Sequence, residues 1–151
     1  MKKILAINQG ATSTKFAVFA NDQVLLKKTV EHQGNELNNF PRIYDQQQYR
    51  LGLILAALDE ANIAPDSFDA IVGRGGLLKP LAGGTYAVNN VMIEDLKKSE
   101  EHASKLGGLL GYTLGQQLGI PAYIVDPVSV DELEPVARVS GSPEFVRISM
   151  S

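Results

Sequence analysis

At 151 residues, 44% hydrophobic and 21% charged, the chain has the length and composition of one globular domain with a real core. Its 14 basic and 17 acidic residues are interspersed and leave a net charge of −3, so no basic stripe argues for nucleic acid, and no apolar run approaches a membrane span. The absence of cysteine excludes disulfides and thiolate metal sites; Met1-Lys2-Lys3 and the short apolar run behind it do not make a signal segment, so a cytoplasmic location is expected.

The first thirty residues read as three strands, 3–8, 14–20 and 23–31, with Asn21-Asp22 as the tight turn between the second and third. Polar residues 32–40 form a loop, Pro41 suits a first helical turn, and Leu51, Ile54, Leu55 and Leu58 then make the stripe of a helix lying on a core. Pro65 ends that region. Ala70-Ile71-Val72 is a short buried strand closed by Gly73-Arg74-Gly75-Gly76, and 85–88 is a further short extended piece. Residues 90–98 look helical, with Glu94 and Asp95 early and Lys97 and Lys98 late, as the helix dipole favours. Ser99 is placed to cap the next helix, 99–118, with Glu100 and Glu101 in its first turn and Gly119 at its end. Ala122-Tyr123-Ile124-Val125 is a last strand of parallel type. A meander followed by crossovers predicts an α/β fold: one mixed five-stranded sheet with helices on its faces.

Gly107, Gly108, Gly111 and Gly115 crowd the long helix. Each costs roughly 1 kcal/mol against Ala, about 4 kcal/mol together, so a close backbone approach should offset them. The approach is either to the chain's own sheet or to a partner helix; the apolar span is too short and too polar at its start for a membrane pair.

Candidate chemistry gathers near strand ends. The Asn8-Gln9-Gly10-Ala11-Thr12-Ser13-Thr14-Lys15 turn offers backbone N–H groups and hydroxyls with no bulky side chain in front of them, the makings of a phosphate cradle. It lacks Walker spacing, and the same residues also suit an ordinary hairpin. Asn8, Arg74 and Asp126 follow three different predicted buried strands, and ligands of open α/β sheets bind beyond the carboxyl ends of such strands. Gly73, Gly75 and Gly76 leave Arg74 uncrowded, as an anion-binding guanidinium needs. His102 on its own reads as a solvated first-turn residue, and Lys15 as an outward charge on its strand.

Taken together, Asn8–Lys15, Val72-Gly73-Arg74-Gly75-Gly76-Leu77-Leu78-Lys79-Pro80, Glu101-His102-Ala103-Ser104-Lys105-Leu106-Gly107-Gly108 and Ile124-Val125-Asp126-Pro127-Val128-Ser129-Val130-Asp131-Glu132-Leu133 resemble the butyrate kinase family. That family is part of the acetate kinase branch of the actin-like, sugar-kinase and Hsp70 ATPase superfamily. The resemblance implies a ribonuclease H-like (actin-like ATPase) domain over 1–151, with ATP and Mg²⁺ as cofactors and butyrate or another short-chain carboxylic acid as substrate. The reaction implied is reversible phosphoryl transfer giving an acyl phosphate and ADP.

Carried over by residue, Asn8 sits near the metal and phosphates, and Gly10, Thr12, Ser13, Thr14 and Lys15 belong to the phosphate hairpin. Arg74 grips the substrate carboxylate and then the transferred group, His102 hydrogen-bonds the phosphoryl oxygens, and Asp126 orients the magnesium. The resemblance also implies two departures. Gln9 stands where the family usually has Pro, which relaxes φ and adds an N–H. The family has a second, ATP-binding domain, so this chain reads as an N-terminal half, expected to be inactive alone and to form a homo-oligomer. Alternatives are a non-catalytic, self-associating or anion-binding module on the same fold, or an acetate kinase-like enzyme of different chain-length preference.

Overall fold

The computed structural model describes residues 1–99 and 102–149. Strands β1 (Lys3–Gln9), β2 (Ser13–Ala20) and β3 (Gln23–Glu31) form the expected antiparallel meander, with Asn21 in its turn at φ 50°. β4 (Ala70–Arg74) pairs parallel with β1, and β6 (Ala122–Val125) pairs parallel with β4. Among the described residues the sheet has six strands, not five, in the order β3-β2-β1-β4-β6-β5. The addition is β5 (Thr85–Ala87), the short extended piece, antiparallel on the edge of β6. Three residues are too few to carry a period-two signal, and what makes them a strand is the partner.

After the single turn α1 (Gly34–Leu37), a 3₁₀ turn at Ile43–Gln46 runs into α2 (Gln47–Glu60). Helix α3 (Asn90–Lys98) starts at Asn89, whose side chain accepts from the Met92 N–H at 2.9 Å. The long helix α4 (Lys105–Leu118) begins six residues later than expected at Ser99. Ser99 instead closes α3: its N–H donates to Asp95 O at 2.9 Å and its hydroxyl to Leu96 O at 2.8 Å. The two acids assigned to that first turn, Glu100 and Glu101, lie outside the described residues. Gly119 ends α4 in the left-handed conformation, φ 69°.

Helices α2, α3 and α4 all lie on one face of the sheet. Leu5, Ile7, Phe16, Val18 and Ile71 of the sheet share one core with Leu51, Ile54 and Leu58 on α2, Leu96 on α3, and Leu106, Leu110 and Leu114 on α4. The reason is handedness. β1 to β4 and β4 to β6 step the same way across the sheet, and right-handed crossovers in one direction deliver their helices to one side. The alternate residues Ala6, Ala17, Val72 and Val125 line the opposite face, half-buried.

The glycine ridge packs on the chain's own sheet. A Cβ at Gly107 would lie 2.2 Å from Arg74 O, and one at Gly73 would lie 2.3 Å from Gly107 O. Backbone contact between α4 and β4 is what the glycines permit, and it fixes the height of α4 beside the strand end that carries Arg74.

Candidate active site

Asn8 and Lys15 are register partners on β1 and β2, and both point away from the helices. Arg74 is the last residue of β4, paired with Val125, and Asp126 follows directly after β6. Asn8 and Arg74 are thus strand residues, still within the ladder, and only Asp126 lies past its strand. These four exposed side chains line one cavity of about 680 Å³, whose floor is apolar: Ala17, Phe19, Val72 and Val125. Among the described residues neither Lys15 nor Arg74 has a hydrogen-bond or ion-pair partner for its cationic head. Lys15 and Arg74 thus stand with free cationic heads above an apolar floor, an arrangement able to receive an anion.

Asp126 combines strain and position. Its φ is 39°, in the left-handed region that non-glycine residues rarely occupy. Its Oδ1 accepts from Gly84 N at 2.8 Å, and its own N–H donates to Gly84 O at 3.0 Å. The pair holds the carboxylate at the sheet edge, and among the described residues its other oxygen is unused.

The β1–β2 turn is closed by Gly10 N donating to Ser13 O at 2.7 Å. Ala11 and Thr12 are exposed, and among the described residues their amides have no acceptor. Ser13 is buried, and Thr14 turns inward. Thr14 is fully buried, with Oγ1 2.8 Å from His32 Nε2 and 3.0 Å from Arg50, so its hydroxyl supports the turn instead of facing a ligand. Pleat parity explains this: with Lys15 outward, Thr14 must point to the core.

Arg50, not singled out from the sequence, organises the turn from beneath. It is fully buried on α2, and its Nη1 donates to Gly10 O (3.0 Å) and Ser13 O (2.9 Å), its Nη2 to Ala11 O (3.1 Å). Gln46 Oε1 accepts from Nε and Nη2 at 3.1 and 2.9 Å. Burial pushes its pKa below the usual arginine value, and burial followed by the Arg50 charge likewise lowers that of His32. One signal for it was available: Arg50 sits on the apolar stripe of α2, between Gln47 and Leu51 and one turn before Ile54, where a charge has no place without a buried task.

His102 is on the other side of Arg74. It lines a cavity of about 490 Å³ with Gln9, Gly10, Arg74 and Ser104, so Arg74 borders both cavities. The Ser104 N–H donates to His102 Nδ1 at 3.2 Å, and Ser104 Oγ lies 2.7 Å from the same nitrogen. A backbone N–H can only donate, so Nδ1 is the acceptor and the neutral ring carries its proton on Nε2. The structure therefore brings Asn8, Lys15, Arg74 and Asp126 together, with Gly10 and His102 adjoining through Arg74 and Thr12 at the hairpin tip; Thr14 stays behind the turn, and Ser13 is buried.

Mg²⁺ with ATP fits this donor set. No cluster of three or more His, Asp or Glu is found among the described residues. Mg²⁺ needs none: it keeps waters and takes one or two carboxylates plus phosphates, and Asp126, with an oxygen to spare, faces the same cavity as Asn8.

Strand order and the parallel crossovers define an α/β domain, and solved acetate kinases share its fold. The acetate kinase of Porphyromonas gingivalis superposes with a TM-score of 0.64 at 14% identity, covering 95% of this chain and 42% of that one. The acetate kinase of Entamoeba histolytica does so with a TM-score of 0.59 at 13% identity, over 99% and 42%. No family model matches the chain. By sequence it is similar to butyrate kinases: 51% identical over 149 residues to a probable butyrate kinase of Clostridium botulinum, and 49% over 150 residues to butyrate kinase 2 of Clostridium acetobutylicum. These alignments take in 97% and 98% of this chain, which spans 42% of the length of either relative. No helix among the described residues is long and apolar enough to cross a membrane.

Proposed function

We propose that this chain is the N-terminal lobe of a butyrate kinase, the lobe that holds the transferred phosphoryl group and the acid. The observation that carries the reading is Arg74, a guanidinium bordering both cavities at the sheet edge with no partner among the described residues. In this reading Arg74 binds the substrate carboxylate, the Nε2–H of His102 donates to phosphoryl oxygens, and Lys15 with the amides of Ala11 and Thr12 holds the ATP phosphates. Asn8 and Asp126 would hold Mg²⁺, which when bound neutralises phosphate charge. A carboxylate oxygen attacks the γ-phosphorus while the P–O bond to ADP breaks, and the electron pair leaves on ADP. The acid is already ionised, so no general base is needed; positioned positive charge and exclusion of water do the catalysis.

The chain spans 42% of its relatives, and the adenosine pocket and the closing half of the cleft are assigned to the remainder. Trapping acyl phosphate with hydroxylamine, using ATP, Mg²⁺ and butyrate with acetate alongside, tests this. Butyryl product is expected once the chain is joined to the second domain of a butyrate kinase relative, and not from the 151 residues alone. No product from a folded, joined protein would overturn the reading.

A further inference from the structure

Arg50 is a cation with no counter-ion among the described residues. It is fully buried, its guanidinium donates to neutral oxygens on Gly10, Ala11, Ser13, Thr14 and Gln46, and among the described residues no carboxylate pairs with it. Burying an unpaired charge is expensive, and hydrogen bonds alone offset only part of that cost. Three of the oxygens are backbone carbonyls of a single turn. Drawing the carbonyls of Gly10 and Ala11 inward turns the amides of the following residues, Ala11 and Thr12, outward, and these are the amides that lack acceptors among the described residues.

We infer that Arg50 is the positioning residue of the phosphate hairpin, and that the anion bound on the outer side of the turn is its missing counter-charge. The inference rests on the phosphate reading of the hairpin given above. It adds that the anion is recognised from two sides: by outward amides, and by a guanidinium behind the turn that orients them and supplies their positive potential. Arg50 never touches the ligand. Lys cannot replace it, because one ammonium cannot reach three carbonyls and Gln46 in a planar fork.

The test is titration of the 151-residue chain with inorganic phosphate, followed by amide NMR shifts of Gly10–Ser13 and by the Arg50 Nε–H signal. In the wild type, phosphate is expected to move the hairpin amides and the buried Nε–H together, with one binding curve. R50Q and R50K are expected to weaken phosphate binding about tenfold or more, the loss of charge-assisted bonds at the turn, with R50K no better than partial rescue. Amide shifts remote from the hairpin report whether each variant is folded, and the wild-type Nε–H response needs no variant at all.

Hairpin amides that respond in the wild type while Arg50 Nε–H stays still, or folded R50Q binding phosphate as tightly as wild type, would overturn the positioning role and leave the phosphate site standing. No hairpin response in the wild type would overturn both.

Discussion

Gln9 Nε2 donates to the carbonyl oxygen of Ser104 at 2.7 Å, tying the end of β1 to the turn that starts α4. Through Ser104 the link reaches His102, so the hairpin and the histidine are held at a fixed spacing across Arg74. The same side chain carries a defect: Gln9 Oε1 is buried with no partner among the described residues. Replacing Gln9 with Leu removes one hydrogen bond and one unpaired acceptor, each worth about 1 kcal/mol and opposite in sign. Ser104 borders the cavity, so its carbonyl can take water instead. Thermal unfolding of Q9L is expected to stay close to wild type while the amides of Ala103–Lys105 shift; a loss of several kcal/mol would contradict this balance.

The glycines of α4 are not equivalent. A Cβ at Gly107 would meet backbone at 2.2 Å, whereas one at Gly111 would meet Ile71 at 3.5 Å and Ala122 at 3.8 Å, ordinary contact. G107A is expected to destabilise by about 3 kcal/mol or more, since α4 must lift off β4. G111A is expected to stabilise by up to about 1 kcal/mol through helix propensity. Denaturant midpoints of the two variants check the pair.

Ser104 fixes the tautomer of His102. Long-range ¹H–¹⁵N spectra at alkaline pH are expected to show the proton on Nε2 in the wild type. Proton on Nδ1 would contradict the assignment of His102 as a donor through Nε2.

His32 makes stability depend on pH. Its folded pKa lies below the ordinary 6.5, first through burial and then through the Arg50 charge. The unfolded chain therefore takes up a proton that the folded chain refuses, so stability is complete above about pH 6.5 and falls as pH drops below it, down to the folded pKa. H32Q is expected to flatten the melting temperature between about pH 7 and 5 relative to wild type. An unchanged slope would place the pH dependence elsewhere.

Much of this was legible in the residues. The meander was readable because alternation and the Asn21-Asp22 turn agree, and Lys15 outward followed from period two. The motif residues Asn8, Arg74 and Asp126 were placed at one edge because parallel strands end on the same side. The start of α4 was misplaced because a serine followed by acids looks like a cap, while Ser99 is used as the end of α3. The one-sided helices follow from crossover direction, which depends on strand order, and strand order is not written in any local pattern. Arg50 was hidden by its neighbours: its role depends on a turn forty residues away, at Gly10, and only the packed α2 brings them together.

The central claim rests on Arg74, and R74A tests it most directly. The side chain is exposed and has no partner among the described residues, so R74A is expected to fold with stability within about 0.5 kcal/mol of wild type. Joined to a butyrate kinase second domain and assayed with ATP, Mg²⁺, butyrate and hydroxylamine, it is expected to lose about two orders of magnitude or more of butyryl hydroxamate formation. Turnover equal to that of the joined wild type, in a folded R74A protein, would contradict the account.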